Sequence, residues 1–179
     1  MACLINKGRL EPCKDTVGGI QAVYLIDHGT LGAVSYSSEG SDEISTLAGS
    51  PSAYKFTVKG NSSLEQTITT SRENGTTFYD QILTLTLKKL SPQSHDLIAL
   101  IVAARPHVVV EDNNGNAFLA GLEFGCDANG GTVATGAAMG DLSGYTLTLQ
   151  GMEKKPANFL SGGVAGVGIT VETDTISDI

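Results

Sequence analysis

The chain has 179 residues, of which 41% are hydrophobic and 17% are charged, and its formal net charge is −8. This length favours one domain with a sizeable core. The acidic balance argues against a general nucleic-acid binder, which needs clustered Lys and Arg to displace counterions from phosphates. No apolar run approaches the roughly 20 residues that span a bilayer, and the N-terminus lacks a signal-peptide pattern. We therefore expect a soluble protein made in a cytoplasm, without a membrane anchor.

Glycine is frequent, with 22 residues, and tryptophan is absent. Together with plentiful Ser and Thr, this composition favours many short strands and turns. Cys3, Cys13 and Cys126 cannot all pair and form no C-x-x-C motif, which indicates a reducing compartment. The three histidines share no metal-ligand spacing, so we predict no metal and no other cofactor.

The first third of the chain predicts strands separated by one long loop. Residues 1–17 form a predicted N-terminal arm. The apolar run Ile20–Ile26 predicts a strand buried on both faces, and residues 31–36 predict a second strand. Residues 37–52 contain two glycines, a proline and many Ser and Thr. A loop of this length is unusual in a compact domain and is therefore a functional candidate.

The middle of the chain predicts amphipathic strands and one helix. Alternating polarity predicts strands at residues 54–59, 64–70 and 76–87, and Asn74-Gly75 predicts a type I′ turn between the last two. Ser91 is a suitable N-cap and Pro92 suits the first helical position. The predicted helix ends at Pro106 and has an apolar face of Leu97, Leu100, Ile101 and Ala104.

The last third returns to strands. They are predicted at residues 107–111, 117–124, 132–135, 144–151 and 167–171, with an Asn114-Gly115 turn and a loop at residues 126–131. The predicted fold is mainly β: a β-sandwich or open barrel of eight or more strands with one helix packed outside. We expect one domain over residues 1–179, with an arm at 1–17, a core at 18–171 and an acidic tail at 172–179.

Motifs that could carry chemistry are incomplete. Asp112, Asn114, Asn116 and Glu123 match a calcium-binding loop, but Ala117 stands where that loop needs Gly, so a hairpin turn is the stronger interpretation. The glycine-rich residues 163–168 lack the Lys of a phosphate-binding loop and lead into a strand. His95 and Asp96 are adjacent on a helix, where side chains point about 100° apart. The sequence does not predict an enzyme.

Strands rich in Ser and Thr leave edges that must be blocked or paired. The strands at residues 64–70 and 76–87 are candidates to pair with another copy through Thr67, Thr69, Thr84 and Thr86. A repeated head-to-tail contact of this kind closes a ring when its rotation divides a circle. The alternative is a monomeric β-sandwich.

The order of elements resembles bacteriophage tail tube proteins over residues 18–171, and the related tubes of contractile injection systems and type VI secretion. The similarity is clearest at residues 141–160, where Gly-Tyr-Thr-Leu-Thr-Leu is followed by Gly-Met-Glu and Pro-Ala-Asn-Phe. The resemblance implies hexameric rings that stack into a hollow tube in the virion tail, with strands lining the inside and the helix outside. It also implies assembly in the bacterial host cytoplasm and transient, non-specific passage of DNA. The implied partners are the tape measure, sheath or tail terminator, and baseplate proteins.

The resemblance also implies contacts between rings. The family's long strand-connecting loop corresponds to residues 37–52, so Glu39, Asp42 and Glu43 are the candidate contact acids. Their partners would be Lys7, Arg9 and Lys14 of a neighbouring arm.

Two other functions stay open at this point. One is another virion part, such as a head–tail joining or capsid decoration protein. The other is a calcium- or carbohydrate-binding β-sandwich, which would need the loop of residues 112–123 or an aromatic platform, although aromatics are only 6% of the chain.

Overall fold

The computed structural model describes Ile5, residues 7–59 and residues 61–176. Cys3 and the end of the predicted tail, residues 177–179, lie outside this part. The described chain is mainly β, with twelve strands in two sheets and two helices, so the predicted fold class is confirmed. No helix in these ranges is long and apolar enough to cross a membrane.

The larger sheet has eight strands and the smaller has four. In spatial order the larger contains β12 (Thr170–Glu172), β4 (Ser52–Thr57), β1 (Ile20–Ile26), β7 (His107–Asp112), β8 (Ala117–Ala120), β11 (Asn158–Leu160), β3 (Glu43–Leu47) and β2 (Val34–Tyr36). The smaller contains β5 (Ser63–Ser71), β6 (Thr76–Lys88), β10 (Gly144–Glu153) and β9 (Asp127–Ala134). All pairs in the smaller sheet are antiparallel.

Strand β1 is central to the fold, as its apolar run predicts. It pairs antiparallel with β4 and β7, so Val23 lies opposite both Phe56 and Val110. Because successive side chains point to opposite faces, Val23 and Leu25 enter one core while Tyr24 and Ile26 enter another. The first core lies between the two sheets.

Helix α1 (Pro92–Ala103) covers an end of the first core. Its predicted cap is confirmed, because the Ser91 hydroxyl accepts a hydrogen bond from the Ser94 N–H at 3.1 Å. Ile101 is buried, but Leu100 is 68% exposed, so its predicted place on the apolar face is wrong. Leu100 is one residue from Ile101, or about 100° around the helix, which turns it away from the core.

Several boundaries differ from the predictions. The predicted loop of residues 37–52 contains β3, and the predicted strand of residues 31–36 shortens to β2. The predicted loop of residues 126–131 forms most of β9. Strand β11 was not expected, nor was the short helix α2 (Gly163–Gly166) in the glycine-rich segment of residues 163–168. The predicted strand of residues 167–171 is replaced by β12.

The Asn74-Gly75 turn connects β5 and β6, as predicted, but it is not type I′. Ser71 lies opposite Thr76, so the loop has four residues rather than two. Only Gly75 within it has a positive φ, at 64°, whereas a type I′ turn needs two such residues.

Candidate assembly surface

The four-stranded sheet turns one face to the core and one away from it. Leu64, Leu83 and Leu149 are in register and face the core. The neighbouring positions carry hydroxyl side chains that are exposed or half-buried. We call these the threonine face: Thr67, Thr69, Thr84, Thr86, Thr132, Thr146 and Thr148.

The threonine face carries more acids than bases. Glu65, Asp80 and Asp127 alternate with core-facing residues and therefore share this face, as does Lys88. Asp80 accepts a hydrogen bond from the Gln150 amide at 2.7 Å, and Asp127 pairs with Arg105 at 3.1 Å. The surface is thus mainly polar and weakly acidic, and the apolar side chains of Phe78, Ile82 and Met152 also lie on it.

Both outer strands of this sheet lack a second neighbour among the described residues. These are β5, which carries Thr67 and Thr69, and β9. Thr84 and Thr86 lie on β6, which pairs with β5 and β10, so their predicted place at an edge is wrong. Alternating polarity gives β5 and β6 the same appearance in the sequence, and only pairing with the distant β10 makes β6 internal. The sequence did not predict β9 as an edge strand, because its two glycines interrupt the alternation of polar and apolar residues.

Two of the three predicted contact acids lie at a cavity on the face of the eight-stranded sheet that carries the second core. Asp42 and Glu43 border this cavity of about 870 Å³ together with Tyr24, Glu111 and Phe159. The Tyr24 hydroxyl donates to Glu111 at 2.9 Å, and burial together with this carboxylate raises the pKa of Tyr24 to about 12. The sequence did not indicate Tyr24 or Glu111, which the sheet register brings together.

The remaining predicted contact residues are exposed. Glu39 precedes β3, and Lys7, Arg9 and Lys14 lie in the arm, outside any helix or strand. In the described part of the chain, Asp42 pairs with Lys155 at 3.3 Å rather than with a base of the arm. The structure therefore does not bring the predicted acids and bases together within one chain.

The predicted hairpin turn at Asp112 is confirmed. The Asp112 carboxylate accepts hydrogen bonds from the N–H groups of Asn114, at 2.9 Å, and Asn116, at 2.7 Å, and from both side-chain amides. Partial burial raises the pKa of Asp112, but these hydrogen bonds outweigh burial and hold the pKa below its usual value. Both carboxylate oxygens of Asp112, the first predicted calcium ligand, are thus engaged by the turn itself.

No family model matches this chain, and no curated protein or solved structure matches it.

Proposed function

We propose that this chain is a structural subunit that assembles side by side into closed rings, which stack into a hollow tube like that of bacteriophage tails. One observation carries the proposal: a four-stranded sheet with a mainly polar outer face and, among the described residues, an unpaired strand edge on each side. Exposed strand edges are templates for pairing with another chain, so proteins cover, shorten or pair them. Here the edge strands β5 and β9 have nine and eight residues, so neither edge is shortened.

The strand directions support head-to-tail closure. The four strands alternate in direction, so β5 and β9 run antiparallel to each other. Rotation about an axis along the strands therefore brings β5 of one copy beside β9 of the next in an antiparallel pair. A head-to-tail contact of this kind closes into a ring if the rotation divides a circle.

The threonine face would then line the channel. Six copies, the number that the resemblance implies, form a barrel of roughly 24 strands, about 50 Å across its backbone at ordinary spacing and tilt. Hydroxyl groups with a few acids such as Glu65 and Asp80 repel phosphate weakly, and Lys88 alone is not a cluster of cations. DNA can then pass without binding, because phosphate binding depends on clustered bases.

Electron microscopy of the purified chain at rising concentration tests the proposal. We expect hollow rings that stack. Rings that never stack would favour a head–tail joining or decoration protein instead. A chain that stays monomeric and also never joins preformed tubes would contradict the proposal.

Two proline variants sharpen this test. In an edge strand, N–H groups point alternately to the paired strand and outward. One of Thr67→Pro and Ile68→Pro therefore removes a hydrogen bond to β6, while the other removes only an outward N–H. We expect the variant that removes only an outward N–H to keep its unfolding midpoint but to form no rings. Thr148→Val, on the same face but an internal strand, is the control that should still form them.

A further inference from the structure

The chain passes from the larger to the smaller sheet through residues 121–126, between β8 and β9. Three buried side chains hold this crossover. Gln81 accepts from the Gly121 N–H at 2.9 Å, His107 bonds the Gly121 carbonyl at 2.6 Å, and Glu153 accepts from the N–H groups of residues 123 and 124. Buried polar groups cost free energy unless they are hydrogen-bonded, so this connection depends on all three.

His107 also holds a second segment. Its Nε2 accepts a hydrogen bond from the Gly29 N–H at 3.1 Å, in the turn that follows β1. A backbone N–H can only donate, so Nε2 carries a lone pair and the proton is on Nδ1. Nδ1 then donates to the Gly121 carbonyl. With 2% of its surface exposed, neutral His107 joins the turn to the crossover.

The surroundings of His107 disfavour a positive charge. Burial lowers the pKa of His107 and the hydrogen bond to Gly121 opposes this, while the neighbouring His28 lowers the pKa further. The two rings are stacked with centroids 4.8 Å apart. Asp27 lies in the turn beside His28, Glu153 lies against the crossover, and Arg105, whose backbone packs at Gly125, forms an ion pair with Asp127 at 3.1 Å, so that the charges of Arg105 and Asp127 offset each other.

The other two anchors of the crossover respond differently to acid. Gln81 does not titrate. Burial raises the pKa of Glu153, against the effect of its hydrogen bonds to residues 124 and 123. One oxygen, Oε1, accepts both of these N–H groups. A protonated carboxyl group keeps one such carbonyl oxygen, so protonation of Glu153 leaves this anchor in place.

We propose that His107 is a pH-dependent latch that releases the turn of residues 27–30 when its Nε2 takes a proton from solvent. The protonated nitrogen then faces the Gly29 N–H, and two donors cannot bond each other. The bond from Nδ1 to Gly121 persists, so the crossover stays in place while the turn detaches. The turn leads to Leu31, whose carbonyl accepts from the Gly49 N–H at 3.0 Å, and so to β2 and β3. This inference does not depend on the proposed tube.

Nuclear magnetic resonance of the full chain from about pH 7 down to about pH 4, which extends below the usual titration range of histidine because the His107 pKa is lowered, tests the latch. At neutral pH we expect the nitrogen shifts of His107 to report the proton on Nδ1. On acidification, exchange of the Gly29 amide, corrected for intrinsic rates, should rise by up to about tenfold per pH unit between the usual histidine pKa and the lowered pKa of latched His107, and should level off below the latter. The Gly125 amide, which bonds the Gly121 carbonyl at 3.1 Å, should keep its protection.

Variants separate the latch from general acid instability. His107→Gln offers one donor and one acceptor but does not titrate, so Gly29 exchange should lose its pH dependence. His95→Gln, which changes the exposed histidine of α1, should behave as the unaltered chain. A neutral His107 with its proton on Nε2 would overturn the proposal without any variant. Unchanged Gly29 protection after His107 protonates, or equal deprotection of Gly29 and Gly125, would also overturn it.

Discussion

Strands β1 and β5 show two uses of a β-strand in one protein. β1 is paired on both sides, and six of its seven residues are buried. β5 is paired on one side only, and none of its nine residues is buried. Burial of apolar surface is the main favourable term in folding, so the eight-stranded sheet stabilises the protein. The four-stranded sheet contributes one face to the core, and its outer strands have no second neighbour among the described residues.

We expect the largest difference in the free energy of unfolding between a side-chain truncation in the core and one on the edge strand β5. Leu119→Ala empties a fully buried position in the second core and should lower the free energy of unfolding by about 2–5 kcal/mol. Ile68→Ala on β5, where the side chain is 63% exposed, should change it by less than about 0.5 kcal/mol. Urea unfolding measures both. Equal losses would show that β5 is stabilised as strongly as the central strands.

We expect a second difference in stability between alanine substitutions at two glycines. A Cβ on Gly49 would overlap the Thr30 carbonyl oxygen beside the larger sheet, whereas a Cβ on Gly130 in β9 meets no atom within 4 Å. Neither residue has a positive φ, so only space distinguishes them. Gly49→Ala should destabilise by about 1–3 kcal/mol. Gly130→Ala should be neutral or stabilise by up to about 1 kcal/mol. Thermal unfolding compares them, and similar shifts in midpoint would contradict the packing around Gly49.

We expect the smallest difference in stability between alanine substitutions in the two hairpin turns. Asp112→Ala removes four hydrogen bonds within the β7–β8 turn and should cost about 1 kcal/mol. Asn74→Ala, in the β5–β6 turn, should cost less, because the Asn74 backbone N–H keeps its bond to Ser71.

The Asp112 contribution has a defined pH dependence. The pKa of Asp112 is lower in the folded protein than in the unfolded chain. Its contribution to the free energy of unfolding is therefore present at pH values above the unfolded pKa and is lost as the pH falls below about 4. Urea unfolding of the unaltered chain and Asp112→Ala at neutral and acid pH measures this. If the difference in free energy of unfolding between the two chains is the same at both pH values, the charge of Asp112 is not the source of the stabilisation.

The sequence predicts those elements whose signal is local. The aliphatic run of β1, the alternation of β10 and the Ser91-Pro92 start of α1 each depend on neighbouring residues, and each forms as predicted. β3 has only two buried residues, Ile44 and Leu47, and it lies between the three-residue strand β2 and β11, which is more than 100 residues away. Its pattern in the sequence is therefore that of a loop.

The same distinction applies to the candidate surface. The hydroxyl-rich faces of β5 and β10 follow from the alternation of their residues, and so does the acidic character of the chain. The tertiary structure alone decides that β6 is internal, that the glycine-rich β9 is an edge, and that Tyr24 meets Glu111. It also places His107 between the Gly29 turn and the crossover. Local chemistry determines which residues can form a strand and which face is polar, whereas the neighbour of each strand depends on pairing between distant segments, which no local pattern encodes.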